Sequence, residues 1–176
     1  MDEAGVQFSV GPHLMNKYTN RKHKFYNTSV KAWQGMYEAI QSARISVYME
    51  MYIFLDDIKE FDFVSLLIQK AKSGVQVKII LDAYGSMELN RKSIAQLKEA
   101  GIEVFFISYF WHRLHRKILI IDEQTAFFGG VNIHHSAKEW LDLMMEIRGK
   151  IVERFVRIFA RDYVLAGGSR SCFGGT

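Results

Sequence analysis

His115 and Lys117 stand two apart in the stretch LHRKILIIDEQTAFFGGVN (114–132). In an extended strand alternate side chains share a face, so an imidazole and an ammonium point the same way. That pairing suits a phosphate: the imidazole can attack phosphorus while the ammonium holds the non-bridging oxygens. Gly129 and Gly130 allow close backbone approach, and the Asn132 amide can donate to the same anion. Gly130 and Asn132 are therefore the candidate phosphate-binding positions. Asp122 joins them as a candidate at the strand end, at odd parity to His115, where it reads equally well as a turn-forming aspartate. A lone His-x-Lys is more often an exposed polar face than a site, so the extended pattern carries the weight.

The elements that must position these residues alternate in type. Asn27, Thr28 and Ser29 offer N-cap side chains, and Val30, Trp33, Met36, Tyr37 and Ile40 recur at helical spacing. RISVYMEMYIF (44–54) alternates as a buried strand, and 60–73 is an amphipathic helix stopped by Gly74. VQVKIILD (75–82) is a strand ending in the turn Tyr84-Gly85-Ser86; a helix over about 89–100 then leads into IEVFFIS (102–108). This β-α-β-α-β alternation predicts parallel strands with helices packed on them. Beyond it, 115–122 and 125–130 read as strands joined by the tight turn Asp122-Glu123-Gln124. Residues 142–149 read as one more strand and 150–165 as a closing helix. The expected fold is α/β, a mixed, mostly parallel sheet flanked by helices on both faces. Residues 27–165 form the expected domain. Before it lies a segment (1–26) holding the strand-like VQFSV (6–10) and a basic, solvated run NRKHK (20–24). After it comes a glycine-rich tail (166–176) expected to be mobile.

His-x-Lys, four residues, Asp122, six residues, Gly-Gly and then Asn132 resembles the signature of the phospholipase D superfamily. Residues 27–54, GVQVKIILDAYGS (74–86), LKEAGIEVFF (97–106) and Trp140-x-Asp142 followed by EIRG are similar, in order, to the first half of bacterial cardiolipin synthases. The resemblance implies phosphohistidine chemistry needing no metal or other cofactor. His115 would be nucleophile or general acid/base, Lys117 and Asn132 would hold phosphate, and Asp122 would support them. It also implies a second motif histidine that protonates the leaving alcohol. An acidic side chain just before the last strand would orient the nucleophile by fixing its tautomer; Asp142 fits, with Glu139 as second choice. Glu50 and Tyr52 match the family's E-x-Y and are secondary candidates. Asp82 and Ser86 read equally as turn formers. His134 and His135 match no motif position and are expected on the surface; with Glu139 they match no common metal-ligand spacing.

One His-x-Lys occurs in the 176 residues, whereas a superfamily site needs two. The second half would come from a homodimer, whose two-fold axis supplies it naturally, or from the rest of a longer chain. The expected function is phosphatidyl transfer of the cardiolipin synthase type, with the anionic phospholipid phosphatidylglycerol and a membrane surface as partners. The alternatives are a homodimeric phosphodiesterase or endonuclease acting on nucleic acid, and a catalytically incomplete half that binds an anion or a membrane. The short SYFWHRL (108–114) resembles the superfamily's minimal dimeric nucleases, while Gly-Gly, E-x-Y and DAYGS favour lipid. Tyr109, Phe110 and Trp111 beside Arg113 and Arg116 suit either an anionic membrane interface or single-stranded nucleic acid.

Composition bounds these readings. With 49% hydrophobic and 24% charged residues and a single proline, the chain is that of one ordered domain. A net charge of +4 accommodates an anionic partner without requiring one. The single cysteine, Cys172, excludes an intrachain disulfide and a thiolate metal site and points to a reducing compartment. No apolar run is long enough to span a membrane, and MDEAGVQFSV lacks a signal-peptide layout. The expected location is the bacterial cytoplasm, peripheral at the inner membrane.

Overall fold

A computed structural model of the chain describes residues 23–107, 115–169 and Phe173. In order the elements are β1 (His23–Tyr26), α1 (Ser29–Ser42), β2 (Ser46–Met51), α2 (Phe63–Lys72), β3 (Gln76–Asp82), α3 (Arg91–Glu99) and β4 (Glu103–Ile107). There follow β5 (Ile118–Ile121), β6 (Thr125–Gly129), a 3-10 turn (His135–Ala137), β7 (Met144–Arg148) and α4 (Val152–Leu165). The strands form one sheet in the order β1-β7-β6-β5-β2-β3-β4. VQFSV (6–10), SYFWHRL (108–114) with Tyr109, Phe110 and Trp111, and Cys172 lie outside the described residues.

The sheet is mixed, as expected, but parallel pairing is confined to β2–β3 and β3–β4; the other four pairings are antiparallel. Parallel neighbours need a crossover, and only α2 and α3 supply one. After β5 a tight turn brings the chain back as β6, and residues 130–143, which hold a 3-10 turn but no crossover helix, return it antiparallel as β7. Residues 23–26, which no periodicity marks, add the edge strand β1 beside β7, with His23 and Lys24 exposed as the basic run suggests.

Helices cover both faces. Thr28 caps α1 by accepting from Lys31 N, and Trp33, Met36 and Ile40 are buried against Met49, Leu67, Leu81 and Leu119; Val30, on the same predicted stripe, is exposed. On the other face α4 packs Phe159 and Tyr163 over Tyr48, Ile80 and Ile120. Phe173, in the tail expected to be mobile, sets its ring edge-on to Tyr48 and Tyr163, with centroids 5.4 Å away in both cases.

The β5–β6 hairpin turns through Asp122 and Glu123, both left-handed (φ 52° and 55°), with Gln124 N donating to Ile121 O. Two positive φ angles match the twist of a hairpin, yet each costs a non-glycine residue about 1–2 kcal/mol. The Asp122 carboxylate offsets this by accepting from the amides of Arg44 (3.0 Å), Ile45 (2.7 Å) and Ser46 (2.9 Å). It thereby staples the turn to the start of β2.

Beneath α4 the interior holds charge. Glu50 is fully buried and accepts from Arg116 Nε at 2.7 Å, while Arg116 also pairs with Asp162 on α4. Burial pushes the Glu50 carboxyl up to about 7, against the opposing pull of Arg116.

Two outcomes follow. Asp122→Ala should lower the unfolding free energy by about 2–3 kcal/mol, with Asp122→Gly recovering about 1 kcal/mol by relieving the left-handed strain, measured by urea denaturation. A variant that keeps its stability but loses activity would instead make Asp122 catalytic. For Glu50, the native state holds a proton between pH 4.5 and about 7 that the unfolded chain has released. Stability should therefore fall as pH rises through that window, by about 2–3 kcal/mol from this group. Glu50→Gln should remove that part of the slope; an unchanged slope in unfolding free energies at pH 5 and pH 8 would refute the burial argument.

Candidate active site

Strand direction gathers the site. Because β5 runs antiparallel to β2 and β6, its start lies beside the end of both, and the start of β7 lies beside the end of β6. Tyr52, His115, Lys117, Asn132 and Asp142 meet at this one edge, which is also the carboxyl end of the parallel strands, where α/β sheets build their sites. Asp122 goes to the opposite edge. Seven residues of extended chain separate it from His115, roughly 23 Å. The two do not form one constellation, and Asp122's hydrogen bonds make it a support of the fold.

The parity argument for His115 and Lys117 holds. Lys117 Nζ lies 3.4 Å from His115 Nδ1 and donates to the His115 carbonyl at 2.9 Å. The Tyr52 ring packs on the imidazole, centroids 4.5 Å apart, and lies 4.9 Å from the ammonium as a cation–π partner. His115 is exposed, whereas Lys117 is only 3% exposed. Among the described residues no carboxylate forms an ion pair with Lys117. Burial holds its pKa below the usual lysine range, and the charge of Asp142 opposes that shift. A buried ammonium with donors to spare is a strong anion receptor.

An ammonium beside Nδ1 favours the tautomer with its proton on Nε2. For Nε2 to attack phosphorus the proton must instead sit on Nδ1, held by an acceptor. Asp142 is the carboxylate at this edge, but here its Oδ1 accepts from Leu143 N at 2.7 Å and no hydrogen bond joins it to His115.

The remaining parts are held by backbone. The chain after β6 zips onto the chain after β2: Ile133 N donates to Ile53 O, and Leu55 N donates to Ile133 O. Asn132 Oδ1 accepts from Ile53 N at 3.2 Å and its carbonyl accepts from Trp33 Nε1 at 2.7 Å. The Asn132 NH2 is the end left to donate. Gly130 does not serve phosphate through its amide, which donates to Leu143 O at 2.9 Å. A Cβ there would overlap the Asp142 carboxylate, and one at Gly129 would overlap the Leu143 carbonyl. The glycine pair makes room for protein rather than ligand.

Ser86 and Gly85, turn formers by their sequence, do more than turn the chain. Ser86 Oγ accepts from Phe54 N and donates to Tyr52 O, both at 3.1 Å, and a Cβ at Gly85 would overlap that same Tyr52 carbonyl. The turn, with Asp82 accepting from Tyr84 N and Gly85 N, fixes the segment that carries the Tyr52 ring. Trp33, part of the helical core stripe, also anchors Asn132; no sequence pattern announces that bond.

Other candidates fall elsewhere. Glu50 faces α4, on the opposite side of the sheet from Lys117, so the E-x-Y pair is split. The β2 ladder ends at Met51 and the chain bends at Tyr52, which breaks the two-residue alternation. His134, expected at the surface, is buried edge-on to Trp140, with Nε2 lacking a partner among the described residues. His135 and Glu139 are exposed.

Comparison with known proteins adds the lineage. The solved structure of Nuc from Salmonella typhimurium, a phospholipase D family member, superposes with a TM-score of 0.69 at 26% identity, covering 84% of this chain and 96% of that one. NucT from Helicobacter pylori has the same fold, with a TM-score of 0.70 at 18% identity over 84% of this chain and 98% of its own. Among sequences, the probable cardiolipin synthase YwiE of Bacillus subtilis is 29% identical over 172 residues, 89% of this chain and 34% of that protein. Cardiolipin synthase 2 of Bacillus anthracis is 34% identical over 149 residues, 76% and 29% respectively. The chain thus spans about a third of the length of the curated relatives it matches. Residues 36–163 match the family model described as "Cardiolipin synthase, PLD-like domain", so the chain belongs to that family, within the phospholipase D superfamily.

Proposed function

We propose that this chain supplies one half of a phosphatidyl-transferring site of the cardiolipin synthase type. The observation that carries the reading is the buried Lys117 ammonium, without an ion pair among the described residues, within 3.4 Å of the His115 ring. His115 attacks phosphorus of phosphatidylglycerol and a P–N bond forms. Lys117 and the Asn132 amide hold the non-bridging oxygens, and glycerol leaves with a proton from the second motif's histidine. A second lipid hydroxyl gives its proton back to that histidine and attacks phosphorus. The P–N bond breaks and His115 is regenerated. Asp142 takes the Nδ1 proton's hydrogen bond during attack, so its side chain must swing from Leu143 N. The relatives named cardiolipin synthases support the substrate, and the exposed Trp140, Leu141 and Leu143 around Asp142 suit a membrane surface at the site's rim. In this reading the chain attaches peripherally at the inner membrane through those exposed side chains; among the described residues no helix is long and apolar enough to cross a membrane.

A second reading has its own support. The chain carries one His-x-Lys and matches nearly the whole length of Nuc and NucT, which favours a homodimeric phosphodiesterase acting on nucleic acid or on lipid with water.

One experiment separates them. The protein is incubated with phosphatidylglycerol vesicles and, in parallel, with single-stranded DNA. Lipid turnover that drops about a thousandfold or more in His115→Ala, with Tm unchanged, is the expected result. DNA cleavage without lipid turnover would establish the second reading, and full activity in His115→Ala would remove the site assignment altogether. Light scattering on the same samples should show a dimer wherever activity is found without a second chain.

A further inference from the structure

The tripeptide His115-Arg116-Lys117 precedes the β5 ladder, whose register opens at Ile118 opposite Glu50. Its backbone lies outside the regular pairing that fixes the rest of the sheet, so side chains must hold it. They divide by parity. His115 and Lys117 lie by Tyr52, while Arg116 turns to the face covered by α4. There its Nε is 2.7 Å from Glu50 Oε1 and its terminal nitrogen pairs with Asp162. Asp162, only 4% exposed on α4, also accepts from Arg161 Nε at 3.0 Å; Glu50, fully buried, has Arg116 as its one ion-pair partner among the described residues.

A guanidinium is a planar fork, so binding carboxylates from two elements at once specifies both its position and its orientation. Stability alone is a poor reason for such a cluster: its two carboxylates are buried at a desolvation cost, and the Arg116 side chain that pairs with them is 39% exposed, where an ion pair contributes little. Both carboxylates draw Arg116 away from the face where a phosphate would sit, which separates it from the cations His115 and Lys117 beside it.

We propose that Arg116 is a positioning residue: clamped between Glu50 of β2 and Asp162 of α4, it sets the orientation in which His115 and Lys117 meet a phosphate. This deepens, and rests on, the phosphate-transfer reading of the site.

The test reads His115 directly. In histidine-labelled protein its ring resonances are identified by their loss in His115→Ala, and the nuclear Overhauser contact to the Tyr52 ring reports the packing. In Arg116→Lys, whose point charge cannot bridge both carboxylates, and in Asp162→Asn, circular dichroism should be unchanged. The His115–Tyr52 contact should weaken or vanish, and affinity for inorganic phosphate should fall about tenfold. His134, buried elsewhere, should keep its resonance. Should a single variant fail to fold, Glu50→Gln/Arg116→Met/Asp162→Asn removes the three charges together and gives the same readout. An undiminished His115–Tyr52 contact in the folded variants overturns the proposal. If the unaltered protein shows no His115 response to phosphate, the functional reading fails, and the ring contact alone decides the role of Arg116.

Discussion

β5 enters the sheet between β2 and β6, antiparallel to both. A strand so placed must bring its first residues beside the ends of its neighbours and send its last residues to the far edge. The His-x-Lys pair therefore meets Tyr52 and Asn132 without any long loop to carry it there. Asp122, in the same motif, is delivered to the start of β2, where three amides await a carboxylate. One motif thus serves two ends of one strand. In the proposed reading its beginning does chemistry, and its end secures the hairpin and register that keep the beginning in place.

The electrostatics follow from that placement. Lys117 is carried under the Tyr52 ring with little water and no described ion pair, and a neighbouring carboxylate tempers its charge without cancelling it. A closer Asp142 would neutralise the ammonium and weaken its hold on an anion. A more distant one could not reach the imidazole. The Gly129-Gly130 step sets the compromise, since any side chain at Gly130 would displace the Asp142 carboxylate. On the other face of the sheet, Glu50, Arg116 and Asp162 keep a separate set of charges, and the tripeptide's alternation prevents the two sets from mixing.

Much of this is legible in the residues. Helical and strand periods locate α1 to α4 and β2 to β7 within a few residues, because the helices bury one clear stripe and the central strands β2, β3 and β5 are short apolar runs buried on both faces. β1 escapes notice: of its four residues, only Tyr26 is buried, so no alternation marks it. The motif spacing picks out His115, Lys117 and Asn132, which the strand directions bring to one edge of the sheet. Parity rules work for His115 and Lys117, where the chain stays extended, and fail for Glu50 and Tyr52, where it bends. Burial of His134 depends on how the 3-10 turn folds beneath Trp140, a tertiary fact that a single histidine does not encode. The roles of Ser86, Gly85 and Trp33 are contacts across 32 to 99 positions of sequence, beyond the reach of any local pattern.

The need for a second half follows from proton accounting rather than from likeness alone. In the proposed reading the His115 ring is bonded to phosphorus when the leaving alkoxide must be protonated, so it cannot be the donor. Lys117 is occupied with the non-bridging oxygens, and neutralising it at that moment would release the charge they develop. The other described imidazoles are misplaced for that proton transfer. His23 sits on the edge strand β1, His134 lies beneath Trp140, and His135 is exposed beside the Asp57 carboxylate that accepts from its amide. In that reading the described residues supply one nucleophile, one anion receptor and, once Asp142 swings from Leu143 N, one orienting carboxylate, and no general acid. That is half of the chemistry, divided where a facing motif would supply the rest.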